Sequence, residues 1–257
     1  MAISDDMRLD GQVALVTGAS HGIGEAMAVA FAEQGADVAL ASRSAGDLER
    51  VARHIRSLGR AAIVVPTDVA DLAAIERMVQ TTVERLGPPD ILANVAGVTR
   101  RKPLLEVSLD DWDYVVNINL RGLYFVTQAV GKTMTERRRG KVINIASMTS
   151  FRGFSGISLY GLTKAAVVQF TKTVAVEWAS YHIQVNAIAP GWIETPMTVT
   201  MAPERRDWVN AHVPQGKYGT PRDLISMAVY LASAASNYTT GQTFAIDGGF
   251  LAGNPWP

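Results

Sequence analysis

The strongest constraint on the fold is a regular alternation between short apolar segments and longer amphipathic segments. The short segments are rich in β-branched residues and mostly lack polar interruptions, as is typical of strands buried on both faces of a sheet. We predict strands at Gln12–Thr17, Asp37–Ser42, Ala61–Thr67, Asp90–Asn94, Lys141–Ala146, Gln184–Ala189 and Thr243–Asp247. This sixfold strand–helix alternation predicts an α/β fold, in which helices cover both faces of a parallel sheet.

The longer segments predict helices. Leu72–Leu86 places apolar residues at helical spacing, and Leu109–Met134 and Ser158–Ala179 are longer helical segments. The 257 residues contain no Pro/Ser-rich linker, repeat or low-complexity tract, so we predict one domain over residues 1–257. Thr195–Gly219 interrupts the alternation after the sixth strand, where insertions often form lids, and we predict a lid-like insertion there.

Composition excludes several classes of function. Lys and Arg total 24, as do Asp and Glu, so no strong net field attracts nucleic acid or an anionic membrane. The absence of Cys excludes disulfides and thiolate chemistry, and the dispersed histidines do not predict a metal site. The acidic N-terminus lacks the apolar core of a secretory signal, and no apolar run is long enough to span a bilayer. We therefore expect a cytoplasmic protein.

A glycine-rich segment follows the first predicted strand and leads into a helix that we expect at Glu25–Gln34. Glycines let the backbone approach a pyrophosphate, and the amide groups and dipole of a helix N-terminus attract that anion. The G-x-x-x-G-x-G spacing differs from G-x-G-x-x-G, but its place in the first βαβ unit predicts nucleotide binding. The candidate cofactor residues here are Gly18, Ser20, His21, Gly22, Ile23 and Gly24.

The end of the second strand indicates which nucleotide is bound. An acidic residue there usually binds a ribose 2′-hydroxyl, whereas a 2′-phosphate requires Arg. Here Ser42, Arg43 and Ser44 end the strand without a carboxylate. We therefore predict NADP(H) in preference to NAD(H); the alternative interpretation is that Arg43 is an ordinary solvated charge.

Four polar residues form a candidate proton-transfer site. Tyr160 and Lys164 are four residues apart on one predicted helix, and a nearby ammonium lowers the pKa of a phenol. Ser147 ends the fifth strand, at the sheet edge where ligands bind, and its hydroxyl can hydrogen-bond a reacting oxygen. Asn119 is polar within an apolar helix, so its amide must have partners: backbone, or a water beside Lys164.

Together these motifs resemble the short-chain dehydrogenase/reductase superfamily over about residues 9–250. The resemblance rests on Thr17–Gly24, Asn94-Val95-Ala96-Gly97, Asn119, Ser147, the Tyr160/Lys164 pair and Pro190-Gly191. It implies a Rossmann-type, doubly wound sheet of seven strands, hydride transfer with a nicotinamide, and an Asn–Ser–Tyr–Lys tetrad. It also implies a homotetramer built through the two long helices, the last strand and Pro221–Ala234. Val95 departs from the usual second Asn, at a mainly structural position.

The resemblance also implies individual roles. Tyr160 would exchange the proton, Lys164 would hold the nicotinamide ribose, Ser147 would orient the substrate oxygen, and Asn119 would support a water relay. Asp68 would bind the adenine. The other residues expected at the cofactor are Val69, Asn94, Ala96, Gly97, Pro190, Gly191, Ile193 and Thr195.

The substrate is indicated by a cationic run after the fourth strand. Arg100 and Arg101 could hold an anionic substrate, with Trp192 beside it; alternatively the run is a solvated loop or a subunit contact. The run and the residues around Ser147 resemble the sugar-acid members of the superfamily, such as gluconate 5-dehydrogenases and 2-deoxygluconate 3-dehydrogenases. We therefore expect reversible oxidation of a secondary alcohol on a sugar acid, polyol or hydroxy acid.

Two alternatives remain open from the sequence. Apolar residues near the site leave room for a 3-oxoacyl thioester or a hydrophobic ketone; they are Met148, Phe151, Phe154, Trp192, Met197 and Met201. A non-catalytic NADP-binding sensor is the third interpretation, although such a module has no need of all four tetrad residues.

Overall fold

The computed structural model describes residues 3–199 and 203–253. The strands are β1 (Val13–Thr17), β2 (Asp37–Ser42), β3 (Ala62–Pro66), β4 (Ile91–Asn94), β5 (Gly140–Ile145), β6 (Ile183–Pro190) and β7 (Thr243–Ile246). The α-helices are α1 (Ile3–Asp6), α2 (Gly22–Glu33), α3 (Ala45–Ser57), α4 (Leu72–Leu86), α5 (Leu109–Val116), α6 (Leu123–Arg137), α7 (Ser158–Trp178), α8 (Pro203–His212) and α9 (Ile225–Ala232).

All seven strands pair in parallel, in the order β3-β2-β1-β4-β5-β6-β7. This confirms the predicted Rossmann-type sheet. The chain moves outwards from β1 in one direction and then returns to build the other half from β4. The crevice between β1 and β4, at the carboxyl edge, is therefore the topological switch point where such sheets bind ligands.

The continuously apolar strands are explained by cores on both sheet faces. Ala14 and Val16 pack into one core with residues of α2, α3 and α9, whereas Leu15 between them packs into the other with α4, α6 and α7. Because successive side chains of a strand point to opposite faces, a strand covered on both sides has no solvent-facing position.

Two helices differ from the sequence prediction. The first begins at Gly22 rather than Glu25, so more of the glycine-rich segment is helical than expected. The predicted helix Leu109–Met134 is interrupted by a π-helical segment, Asn117–Gly122, between α5 and α6. Such π segments often occur at functional sites.

The predicted lid segment contains the short helix α8. Residues 200–202 of the segment, Met201 among them, lie outside the described residues. Within the described ranges, no helix is long and apolar enough to cross a membrane.

Lys141 is buried near the start of β5, at the end of the sheet opposite the cleft. Its ammonium donates hydrogen bonds to Ser236 Oγ (3.1 Å) and Asn237 Oδ1 (2.8 Å). No carboxylate within the described residues forms an ion pair with it. Burial lowers the pKa of Lys141 from 10.5 to about 8, because charging an amine in the core costs solvation energy.

This lowered pKa predicts a specific pH dependence of stability. Between pH 8 and 10.5 the unfolded chain binds a proton at Lys141 that the folded protein does not, so folding becomes more favourable as the pH rises through this window. We expect the unfolding free energy of the wild type to gain on the order of 2 kcal/mol relative to Lys141→Met across it. Urea titrations at several pH values would measure the difference. Lys217→Gln, which removes an exposed lysine, is the control, and parallel curves for wild type and Lys141→Met would contradict the prediction.

Candidate active site

A cleft of about 380 Å³ lies at the carboxyl edge of the sheet and contains most of the predicted cofactor residues. Its lining includes Gly18, Ser20, His21, Gly22, Ile23, Gly24, Ser42, Arg43, Ser44, Asp68, Val69, Ala96, Gly97, Tyr160, Lys164 and Thr195. The structure thus brings the glycine-rich turn, the end of β2 and the Tyr160/Lys164 pair to one opening.

The glycine-rich turn forms one wall of this cleft. Gly18 and Gly22 have left-handed backbone conformations (φ +67° and +61°), which favour glycine. A Cβ at Gly18 would come within 2.8 Å of the Ala96 nitrogen, and one at Gly24 would collide with the Gly18 carbonyl oxygen. The N-terminus of α2 therefore opens directly onto the cleft, so these residues fit a dinucleotide pyrophosphate.

The end of β2 is more strongly constrained than the sequence suggested. Ser44 caps α3 and donates a hydrogen bond to Asp47 Oδ2 (2.6 Å), so its hydroxyl already has an acceptor. Asp47 also lines the cleft and was missed; the Ser-x-x-Asp capping pattern was the available signal. Arg43 is exposed and forms no ion pair within residues 3–199 and 203–253, and Ser42 Oγ is buried without a hydrogen-bond partner in that same part.

Five predicted ligand residues in or directly after β4 and β6 do not line this cleft. Asn94 lies inside the sheet and donates to Thr127 Oγ1 and Asn144 Oδ1 (2.9 Å each), because a buried amide in a central strand must find partners. Pro190 pairs with Ile246 of β7, and Gly191 donates to the carbonyl of that residue. Trp192 and Ile193 line a separate cavity of about 230 Å³. The predicted roles of these five residues at the cofactor or substrate stay predictions.

Lys164 connects α7 to the end of β5. Its ammonium is buried and donates a 2.6 Å hydrogen bond to the carbonyl oxygen of Ile145. Burial lowers the pKa of Lys164 to about 8. The ammonium lies 5.7 Å from the centre of the Tyr160 ring, one helical turn away.

The pKa of Tyr160 is shifted upwards, whereas the sequence predicted a downward shift. Burial raises the pKa of its phenol, while the hydrogen bond with Ser147 and the charge of Arg101 lower it in part. The prediction considered the ammonium of Lys164 but not the loss of solvent around the phenol, which is the largest cause of the shift. Ser147 is itself buried, and its Oγ also accepts from the Thr149 amide (3.1 Å).

Asn119 is held within the protein rather than exposed to the cleft. Its Oδ1 accepts from the Val98 amide (2.8 Å) and its Nδ2 donates to the Val98 carbonyl (2.9 Å) and to Thr163 Oγ1 (3.2 Å). Thr163 in turn donates to the Tyr160 carbonyl (2.9 Å). Of the two interpretations of this amide, the structure shows the backbone contacts, which join the π segment to the loop after β4 and to α7.

Of the three consecutive cations after β4, Asp111 contacts two, Lys102 and Arg100. Lys102 donates to Asp111 Oδ2 (2.6 Å), Arg100 Nε lies 3.9 Å from Oδ1, and the Arg100 guanidinium lies over the Tyr114 ring (4.3 Å). The hydrogen bond from Lys102, assisted by the capping contacts of Ser108, lowers the pKa of Asp111 to about 2. Arg100 is thus turned towards α5, and its role in substrate binding stays a prediction.

Arg101 behaves differently from its neighbours. Its positive charge lowers the pKa of the Tyr160 phenol in part. Burial lowers the pKa of Arg101, and so does the nearby charge of Arg205. Arg205, in α8, had no signal in the sequence.

An aromatic cluster, here called the aromatic wall, includes Met148, which directly follows Ser147 in the chain. Phe154 lies 5.8 Å from both Trp192 and Phe250, measured between ring centres, and Trp192 lies 6.2 Å from Tyr218. Met148 is buried in the same cluster. Phe151 is exposed and Met197 lines the cofactor cleft, so only part of the predicted apolar set forms this wall. In the chain as described, no group of three or more acidic or histidine side chains is placed to hold a metal ion.

Comparison with known proteins identifies the family. A family model described as enoyl-(acyl carrier protein) reductase matches residues 18–251. The chain is 39% identical to the gluconate 5-dehydrogenase of Gluconobacter oxydans, covering 97% of this chain and 98% of that protein. It is 38% identical to the 3-oxoacyl-[acyl-carrier-protein] reductase FabG of Thermotoga maritima, covering 95% and 100%. The chain belongs to the short-chain dehydrogenase/reductase family.

A solved structure agrees with this placement. The gluconate 5-dehydrogenase of Burkholderia cenocepacia, crystallised with NADP and tartrate, matches with a TM-score of 0.94 and 38% identity, over 98% of this chain and 99% of that one. The protein is therefore an NAD(P)-dependent oxidoreductase that acts on CH–OH groups.

Proposed function

We propose that this enzyme interconverts a secondary alcohol and a ketone on a sugar acid. The observation that carries the proposal is the Tyr160/Lys164 pair, which lines the same cleft as the glycine-rich turn. Arg101, whose charge lowers the pKa of the Tyr160 phenol in part, is a candidate partner for a substrate carboxylate. The similarity to two gluconate 5-dehydrogenases supports the same substrate class.

Each tetrad residue has a distinct role in the proposed mechanism. Bound NADP(H) supplies the hydride donor for reduction and, as NADP⁺, the acceptor for oxidation. The Tyr160 phenol gives its proton to the carbonyl oxygen in reduction, and its phenolate takes the hydroxyl proton in oxidation. Ser147, hydrogen-bonded to Tyr160, orients the substrate oxygen. Lys164 favours the phenolate and holds the nicotinamide ribose, while Asn119 fixes the loop at Val98 and supports a water relay.

The alternative substrate is a 3-oxoacyl thioester or a hydrophobic ketone. The aromatic wall and the similarity to the Thermotoga maritima reductase favour it. A sensor without catalysis would not require the Ser147–Tyr160 hydrogen bond or the buried Lys164.

A substrate screen tests the proposed chemistry. We expect oxidation of sugar acids such as gluconate with NADP⁺, with kcat/KM at least about tenfold above that for sorbitol, since a charge-assisted hydrogen bond contributes about 1.5–3 kcal/mol. Sorbitol is the matched control because it has the same carbon chain without the carboxylate. Faster reduction of a 3-oxoacyl thioester than turnover of any sugar acid would overturn the substrate assignment.

The variant Tyr160→Phe tests the proton transfer. It removes only the phenolic oxygen, so we expect kcat to fall by about 10²–10⁴-fold while the fluorescence-measured affinity for NADPH changes little. Because the pKa of Tyr160 is raised, we also expect wild-type oxidation to accelerate with pH through the alkaline range, as the phenolate forms. An active Tyr160→Phe enzyme would refute the assigned role.

The proposed coenzyme preference is for NADP(H), with NAD(H) as a weaker alternative. Arg43 is free of acidic partners in the described part of the chain and lies at the cleft, and the Burkholderia cenocepacia enzyme was crystallised with NADP. Asp47 lies near this position, but its carboxylate already accepts a hydrogen bond from Ser44.

Replacing Arg43 tests this preference. We expect Arg43→Gln to raise the KM for NADP⁺ about tenfold and to leave the KM for NAD⁺ nearly unchanged, because the lost charge-assisted bond involves only the 2′-phosphate. Arg53→Gln, which removes an exposed charge from the same helix region, serves as the control. A wild-type KM for NAD⁺ well below that for NADP⁺ would show that the assignment is wrong.

We also propose that residues 1–257 form a single domain in which residues 195–219 act as a lid. The enzyme is further proposed to be a homotetramer in the cytoplasm. The exposed apolar side chains of Leu109, Trp112, Tyr124, Leu162 and Val176, on the helices that the family resemblance assigns to subunit contacts, support the assembly.

A further inference from the structure

Arg50, in α3, contacts both the glycine-rich turn and the helix that follows it. Its Nη1 and Nη2 donate hydrogen bonds to Glu25 Oε1 (2.6 Å) and Oε2 (2.7 Å) in the first turn of α2. Nη2 also donates to the carbonyl oxygen of Ser20 (3.0 Å). Because a guanidinium is planar and its donors have a fixed geometry, it holds the carboxylate and the carbonyl in a defined arrangement. Arg50 therefore fixes α3 relative to both the turn and α2.

The segments that Arg50 joins form two parts of the cofactor cleft. Ser20 is buried and lines the cleft together with other residues of the glycine-rich turn. Ser44 and Asp47, which also line it, are the N-cap and a first-turn residue of α3. Arg50 lies three residues after Asp47, on the same helix. Its contact with Ser20 therefore couples the first turn of α3 to the glycine-rich turn.

A second arginine of α3 makes similar contacts away from the cleft. Arg56 donates to Glu49 Oε1 (2.6 Å) and, through Nη2, to the carbonyl oxygen of Ala62 (2.9 Å). The exposed fractions of the two side chains are also close, 51% for Arg50 and 43% for Arg56. Neither Arg56 nor its two partners line the cleft. The two arginines thus form the same kinds of bond, but only those of Arg50 reach a residue that lines the cleft.

We propose that Arg50 is a positioning residue for the coenzyme, which fixes the spacing between the glycine-rich turn and the first turn of α3. The turn fits the pyrophosphate, and the start of α3 adjoins Arg43, the expected partner of the 2′-phosphate. A dinucleotide contacts both parts at once, and a protein that already holds them in place binds it without a further ordering cost. The inference concerns the coenzyme and goes beyond the proposed substrate chemistry.

Coenzyme binding to Arg50→Gln tests the inference without any substrate. We expect the dissociation constants of NADPH and NADH, measured by fluorescence titration, to rise by similar factors of about three- to fivefold, because the variant alters the spacing and not the contact with the 2′-phosphate. Arg56→Gln is the matched control. It also loses an ion pair and a carbonyl contact, so its Tm should be similar, but its dissociation constants should stay near those of the wild type.

Hydrogen exchange provides a second readout in the absence of coenzyme. Without the bond from Arg50 to Ser20 the glycine-rich turn is held less firmly, so the amides of residues 18–24 should exchange faster in Arg50→Gln than in the wild type or Arg56→Gln. Arg50→Lys retains the charge beside Glu25, but a single ammonium does not reproduce the bidentate pair and the carbonyl bond together. It should therefore recover only part of the coenzyme affinity.

Three results would overturn the positioning role. If only NADPH binds more weakly to Arg50→Gln, the charge of Arg50 acts on the 2′-phosphate and not on the spacing. If Arg50→Gln and Arg56→Gln agree in coenzyme affinity and in hydrogen exchange, the contacts of Arg50 only stabilise the fold. The third result is full recovery of affinity in Arg50→Lys, since the charge alone would then suffice. A wild type that fails to oxidise gluconate would contradict the proposed substrate but leave the role of Arg50 intact.

Discussion

The site depends on one buried hydrogen bond, between the ammonium of Lys164 and the carbonyl oxygen of Ile145. A buried ammonium must have an acceptor, and the last residue of β5 supplies one at the sheet edge. The bond therefore fixes α7 against that edge, and with it Tyr160 one turn earlier. A Cβ at Gly97 would lie 3.5 Å from the same ammonium, at ordinary van der Waals distance, so the chain after β4 passes directly beside it.

The local sequence pattern was sufficient to predict the strands and the covering helices, but not the π-helical segment that interrupts one helix. Strand positions followed from apolar runs that need cover on both faces, and α4 follows the predicted bounds because Asp71 caps it and Gly87 ends it. The π segment had no such signal. Asn119 is compatible with a regular helix, and its partner Val98 lies 21 residues away, so the distortion arises only from tertiary contacts.

The same limit explains why the site was predicted only in part. Residue types and spacing were enough to predict the glycine-rich turn and the Tyr160/Lys164 pair, because both are local motifs. The orientation of the three adjacent cations could not be predicted from local sequence, because it depends on Asp111 in α5. Asp111 pairs with Lys102 and Arg100. The direction in which the pKa of Tyr160 shifts likewise depends on how much solvent the folded chain excludes from its phenol.

The net charge of the whole chain is zero, but this sum does not describe the charges around the active site. Charges act over about 10 Å at ordinary ionic strength, so a substrate senses the groups beside it rather than the total. Arg101 is one such group: its charge lowers the pKa of the Tyr160 phenol in part, and it forms no ion pair with a carboxylate within the described residues. The carboxylate of a small acid could pair with this guanidinium, whereas an acyl chain could not. The local charge therefore favours a small acid over an acyl chain.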